Sequence, residues 1–257
     1  MRIKIKEKRI LKDIISQKLD IDLSNDISGI SIDSRQVEEG DLFLALKGDK
    51  CHGADFINDD ILNKIDLVIS DKYISSSKAL LVENSNDFLR DIASEFRKKL
   101  KLKIIGITGT NGKTSTKELL VRFLKTKFKV NYSKGNYNST ISLPLSILSF
   151  DSNADYCVLE MGASKNGEIQ KLCNIAKPDI GLVTNISEAH LEGYSDFSQL
   201  INTKLALYES VVDNNGTCFL NIDDINIKIK GTDSNMETYS CFDDSADYFG
   251  DMSQIKD

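Results

Sequence analysis

Histidine is almost missing from this 257-residue chain: His52 and His190 are the only two, which excludes a multi-histidine metal cluster. Cysteine is sparse too. The five residues Cys51, Cys157, Cys173, Cys218 and Cys241 are odd in number, widely spaced and without a Cys-x-x-Cys pair. That pattern reads as reduced thiols rather than a zinc site or a disulfide framework. No apolar run approaches the ~20 residues that cross a bilayer, and Met1-Arg2-Ile3-Lys4-Ile5-Lys6 is not followed by the apolar core of a secretion signal. The chain therefore reads as cytoplasmic, without membrane insertion. Excess positive charge is also lacking. A formal net charge of −6 argues against a general nucleic-acid or anionic-membrane surface, while leaving room for a local basic pocket that takes a phosphorylated small molecule.

With 40% hydrophobic and 28% charged residues, the chain can bury a substantial core as one large or two ordinary domains. Residues 1–100 alternate short apolar runs with turns. Ile27–Ile32, Leu42–Leu46 and Leu67–Ile69 read as strands and Asp87–Leu100 as a helix, together a small α/β domain. The basic run Arg97-Lys98-Lys99-Leu100-Lys101 reads as a solvated helix end at a domain junction. From 101 to 257 strands and helices alternate: strand 102–107, helix 114–126, strand 156–160, helix 167–176, strand 180–183, helix 197–212 and strand 217–220. This predicts a mostly parallel sheet covered by helices on both faces, with ligands gathered at the carboxyl ends of the strands. Few strands are expected after residue 220, so the sheet reads as incomplete.

The segment Ile104-Ile105-Gly106-Ile107-Thr108-Gly109-Thr110-Asn111-Gly112-Lys113-Thr114-Ser115 is a strand-like run ending in a glycine-rich turn at a helix start. Gly109 and Gly112 permit positive φ and close backbone approach, so successive N–H groups can converge on phosphate oxygens. Lys113 would reach the β- and γ-phosphates, and the Thr114 hydroxyl would hold Mg²⁺. The general phosphate-loop pattern places a glycine where this chain has Ile107, so the match is partial and an ordinary strand-to-helix turn stays open at this point. Glu160 ends the apolar run Cys157-Val158-Leu159 at a strand end where nothing obvious neutralises it, which suits Mg²⁺ beside ATP or a solvated loop glutamate. His190 follows another strand end and reads alone as a hydrogen-bonding loop residue or a ligand.

The motifs Thr108-Gly109-Thr110-Asn111-Gly112-Lys113-Thr114-Ser115, Gly135-Asn136-Tyr137-Asn138, Glu160-Met161-Gly162-Ala163 and Ala189-His190-Leu191-Glu192-Gly193, in this order, resemble the Mur ligases of peptidoglycan synthesis. That family tolerates the displaced first glycine. Gly167-Glu168-Ile169 and Ile175-Ala176-Lys177-Pro178 are similar to its D-alanyl-D-alanine-adding branch. Ser31-Ile32-Asp33-Ser34-Arg35, Gly40-Asp41-Leu42-Phe43 and Ala45-Leu46 resemble the family's amino-terminal UDP-binding domain. The resemblance implies a UDP-sugar-peptide-binding domain over 1–100 and an incomplete ATP-binding domain over 101–257, with the carboxyl-terminal Rossmann-like domain absent.

It further implies an ATP-dependent amide ligase, acting as a monomer, that joins D-alanyl-D-alanine to UDP-N-acetylmuramoyl-tripeptide through an acyl phosphate. Gly109, Thr110, Asn111, Gly112, Lys113, Thr114 and Ser115 would hold ATP. Thr114 and Glu160 would carry one Mg²⁺, and His190 and a carbamylated Lys204 a second, with Lys113, Glu160, His190 and Lys204 as the catalytic set. Asn136 and Asn138 would line the substrate channel, and Ser34 and Arg35 would meet the uridine diphosphate. The chain departs from the family at Ser142-Leu143-Pro144, Lys204-Leu205-Ala206 and His52-Gly53-Ala54-Asp55-Phe56, so His52 is not carried over as a ligand. Another ligase of this fold, diamino-acid-adding or folylpolyglutamate-like, and a non-catalytic binding fragment are the alternative readings.

Overall fold

A computed structural model describes residues 1–188, 191–227 and 235–250 of the chain, and short strands build its first sheet. Its strands are β1 (Arg2–Lys4), β2 (Gly29–Ser31), β3 (Asp41–Ala45), β4 (Ile65–Ser70) and β5 (Ala79–Leu81), adjacent in that order. β1 runs antiparallel to β2, and every other neighbour is parallel. Three helices accompany them: α1 (Lys8–Leu19), α2 (Asp59–Lys64) and α3 (Ser85–Lys99). In α1 the buried Leu11, Ile14 and Ile15 fall on one face, and α3 presents Phe88, Leu89, Ile92, Ala93 and Phe96. The Asn84 side chain accepts from the Asp87 N–H at the start of α3, and Arg97, Lys98 and Lys99 close its last turn, where cations complement the helix dipole. The basic run is thus a helix end.

The described residues divide into two units, those within Met1–Lys101 and Pro144–Ser152, and those within Leu102–Leu143 and Asn153–Asp257. Within the first, the Ser152 N–H and hydroxyl donate to the Glu7 carboxylate at 2.9 and 2.7 Å.

The second unit contains β6 (Lys103–Thr108), α4 (Lys113–Leu124), β7 (Val130–Tyr132), β8 (Tyr156–Glu160), α6 (Glu168–Ala176), β9 (Ile180–Val183), α7 (Phe197–Asp213), β10 (Thr217–Asn221), β11 (Met236–Ser240) and β12 (Tyr248–Phe249); α5 (Ser142–Leu148) begins in it. Its sheet is parallel in the order β12-β11-β10-β9-β6-β8-β7. The central strand β6 is the apolar run buried from Ile104 to Thr108, as expected of a strand covered on both faces. α7 buries Leu200, Leu207, Tyr208 and Val211 at helical spacing. The Tyr208 hydroxyl donates to Phe219 O on β10 (2.6 Å) and accepts from the Val183 N–H on β9 (3.0 Å).

Few strands follow residue 220 among the described residues, as expected: only β11 and β12, which widen the sheet beside β10. β11 is mixed, Met-Glu-Thr-Tyr-Ser, and β12 has two residues, too few to show a period. Asp247 fastens the connection by accepting from the Thr238 N–H (2.8 Å) and hydroxyl (2.7 Å).

In the first sheet, Asp41 is fully buried and is held by a bidentate pair with Arg2 at 2.7 and 2.8 Å. Removing one partner of a buried ion pair leaves the other charge uncompensated, so Arg2→Met is expected to cost roughly 3–5 kcal/mol. The measurement is hydrogen exchange at the β2 and β3 amides, whose opening free energy should fall by that amount.

Candidate active site at the phosphate loop

The carboxyl ends of β6, β8 and β9 lie side by side, so the turns that follow them meet. Thr108 at the end of β6 donates its hydroxyl to Met161 O just beyond β8 (2.8 Å). Gly109 then takes φ +142°, and a Cβ there would fall 2.0 Å from Thr184 Oγ1, so glycine is required. The loop is fastened to the segment after β9. Asn185 O accepts from the Thr110 N–H (2.8 Å), Asn185 Oδ1 accepts from the Asn111 N–H (3.1 Å), and the Asn185 amide donates back to Asn111 O (3.0 Å). Sequence reading passed over Thr184 and Asn185 as ligands of the loop, although their place at a strand end was visible.

Gly112, at φ +78°, is the N-cap of α4; it offers no side-chain cap, and a Cβ there would meet nothing within 4 Å. The first turn, Lys113-Thr114-Ser115, holds no acidic residue. Its N–H groups and the positive end of the helix dipole therefore present an anion-binding surface. The Lys113 ammonium donates to Gly109 O and Thr110 O, each at 2.9 Å. Burial pulls its pKa below the usual lysine range, with the Glu160 charge acting the other way.

Glu160 is only 2% exposed. Its Oε2 accepts from the Thr114 hydroxyl (2.8 Å), its Oε1 from the Asn138 amide (2.7 Å), and its own N–H donates to Ser133 Oγ (3.1 Å). The expectation that nothing neutralises this carboxylate is corrected: the fully buried Lys117 ammonium lies 3.7 Å from Oε2. Lys117 was missed, yet it stands three residues after Thr114 and so shares its helix face. Lys204, 5% exposed on α7, donates to Gly109 O at 3.0 Å, the same carbonyl that Lys113 uses. Burial, aided by the Lys113 charge, lowers its pKa from 10.5 to about 8.

The remaining expected residues are distributed differently. Asn136 is exposed in the Asn138 loop, its carbonyl accepting from the Asn138 N–H (2.8 Å). Ser34 and Arg35 lie in the first unit, on the short turn after β2, where exposed Arg35 holds Asp33 in a bidentate pair at 2.9 and 2.8 Å. The Arg35 guanidinium keeps the Asp33 carboxyl far below the usual range. His190 lies outside the described residues.

Among the described residues no group of three or more His, Cys, Asp or Glu side chains converges as a metal cage. The Thr114 hydroxyl and Glu160 carboxylate instead offer two hard oxygens beside the anion-binding helix end. That donor set fits Mg²⁺, which keeps several waters and is shared with substrate phosphates.

The Lys204 shift fixes a stability sign. A lysine whose folded pKa is depressed carries a penalty fully present below about pH 8, which is relieved as pH rises towards 10.5. Lys204→Met in bicarbonate-free buffer is therefore expected to stabilise the second unit by roughly 1–3 kcal/mol near neutral pH. The gain should shrink steadily as urea unfolding is repeated above about pH 8.

Comparison with known proteins agrees with this geometry. Residues 107–256 match the family model described as the Mur ligase middle domain, and residues 26–97 the model described as Mur ligase family, catalytic domain. The UDP-N-acetylmuramoyl-tripeptide–D-alanyl-D-alanine ligase of Rickettsia prowazekii is 36% identical over 205 residues, 78% of this chain and 45% of that protein. The enzyme of the same name from Bacillus subtilis is 33% identical, over 70% of this chain and 40% of its own length. The solved MurF ligase from Thermotoga maritima in complex with ADP superposes with a TM-score of 0.72 at 33% identity, covering 83% of this chain and 50% of that one. MurF from Acinetobacter baumannii shares the fold at a TM-score of 0.82 and 24% identity, over 96% of this chain and 55% of that one. The chain spans less than half the length of these curated relatives. With the middle-domain model matching more than half of its residues, over the sheet that carries the phosphate loop, this chain belongs to the Mur ligase family.

Proposed function

We propose that the chain binds ATP and UDP-N-acetylmuramoyl-tripeptide as part of a ligase that adds D-alanyl-D-alanine to that acceptor in cytoplasmic peptidoglycan precursor synthesis. The observation that carries this reading is the Thr114–Glu160 contact at the mouth of the uncapped helix α4, with Lys113 and Lys204 converging on Gly109 O. Relatives named UDP-N-acetylmuramoyl-tripeptide–D-alanyl-D-alanine ligase, alike over most of this chain, favour the substrate.

In this reading the terminal carboxylate of the tripeptide attacks the γ-phosphorus of ATP, ADP leaves, and the amine of D-alanyl-D-alanine then displaces phosphate to form the amide. An anion attacking a polyanion is opposed electrostatically, so oriented positive groups supply most of the acceleration. Lys113 and the first-turn amides of α4 draw the phosphates to the loop. Asn138 orients Glu160, and Asn136 beside it faces the acceptor. Ser34 and Arg35 serve the uridine diphosphate.

Mg²⁺ would neutralise phosphate charge, one ion at Thr114 and Glu160 and a second at His190 and Lys204. Lys204 suits carbamylation because only a neutral amine adds to CO₂, forming the N–C bond and releasing one proton. Burial already favours that neutral form.

Calorimetric titration with ADP and Mg²⁺, then with UDP-N-acetylmuramoyl-tripeptide, tests the reading. Micromolar affinity, about −8 kcal/mol, is expected for the nucleotide, and Lys113→Ala should weaken it by at least roughly tenfold, about 1.4 kcal/mol. Nucleotide affinity unchanged in Lys113→Ala would remove the phosphate role from this loop.

A further inference from the structure

A lysine with no solvent exposure needs a reason, because an ammonium taken out of water is costly unless its donors are met. Lys117 is such a residue, and the site described above uses it only as a charge beside Glu160. Its Nζ donates to Ser133 O (2.9 Å) and Gly135 O (2.8 Å), lies 3.2 Å from Glu118 Oε1 and 3.7 Å from Glu160 Oε2. Both carbonyls belong to the loop after β7, which continues through Asn136 to Asn138. At its far end that loop is fastened again: Asn138 O accepts from the Gly162 N–H (2.9 Å), and the Asn138 amide holds Glu160. Gly162 leaves just enough room, since a Cβ there would lie 2.9 Å from the Asn138 side chain. The loop is thus gripped by α4 at one end and by the Glu160 turn at the other.

We infer that Lys117 is a positioning residue that locks the 133–138 loop and the Glu160 carboxylate to the phosphate-loop helix, so that Thr114, Glu160 and Asn138 meet a magnesium–nucleotide as one preset unit. The inference rests on the site reading given above and gives Lys117 a positioning role that this reading does not assign. Lys117 stands on the same helix face as Thr114, one turn on, so a single helix supplies both the hydroxyl beside Glu160 and the cation that fixes the opposite wall. A loop held by charge-assisted bonds to two carbonyls loses little further freedom when ligand arrives, which is the benefit of preorganisation.

The test compares wild type with Lys117→Met. Without ligand, the amides of Asn138, Glu160 and Gly162 are expected to exchange roughly tenfold faster, while Ile105 and Val158 in the sheet interior stay within about twofold. In calorimetry, the gain in ADP affinity on adding Mg²⁺ should shrink by about tenfold, roughly 1.4 kcal/mol, with metal-free ADP affinity little changed. Lys117→Gln keeps an N–H donor without the charge and is measured alongside, with the same local acceleration expected if the Met variant does not fold. A merely structural lysine would raise exchange evenly through the second unit; that result, unchanged loop exchange or an unchanged Mg²⁺ gain overturns the inference. Failure of the site reading is separately visible as wild-type protein without Mg²⁺-dependent ADP binding, and the inference falls with it.

Discussion

A carboxylate sealed from water organises the second unit. Glu160 cannot be left alone in a low-dielectric interior, so its polar groups are met by two elements: hydroxyl and ammonium from α4, and the Asn138 amide and Ser133 hydroxyl from the loop after β7. These partners come from sequence positions that only the parallel sheet brings together. A shift of α4, of the Asn138 loop or of β8 would break bonds at a buried charge, where the loss is greatest. The site's geometry is therefore a condition of burying Glu160 at all.

Parallel order adds the second constraint. Because β6, β8 and β9 point the same way, Thr108, Glu160 and Val183 end at one edge, and the turns that follow share it. Thr184 and Asn185 there provide the acceptors and donors that Thr110 and Asn111 would otherwise lack. Gly109 is tight against Thr184 whereas Gly112 faces open space, so the two loop glycines serve different ends. The first admits the Thr184 side chain from the segment after β9, and the second starts a helix whose amides stay available.

Local pattern made part of this legible. The loop glycines with Lys113 and Thr114, the apolar runs of β6, β8, β9 and β10, and the amphipathic spacing of α3, α6 and α7 all write their structure into adjacent residues. β1, β5 and β7 have three residues each and β12 has two, too short for any period, and they exist because a neighbouring strand supplies hydrogen bonds. Residues 144–152 group with the first unit through contacts such as Ser152 with Glu7, which no local window contains. Lys117 was hidden for a similar reason. A lysine on a helix beside glutamate looks solvated, and only the tertiary fold shows carbonyls closing over it. Lys204 is likewise buried, on α7, a position that its local pattern alone does not fix.

Tyr208 sits four residues after Lys204, hence on the same side of α7, and its hydroxyl joins β9 to β10. The phenol acts as a ruler. It sets how far along its axis α7 stands relative to the strand ends, and Lys204, one turn back, reaches Gly109 only at that setting. Gain or loss of a single residue between these two positions would rotate the amine about 100° away from the loop while leaving the helix itself intact. This stretch of α7 should therefore keep its length even where its exposed side chains vary freely.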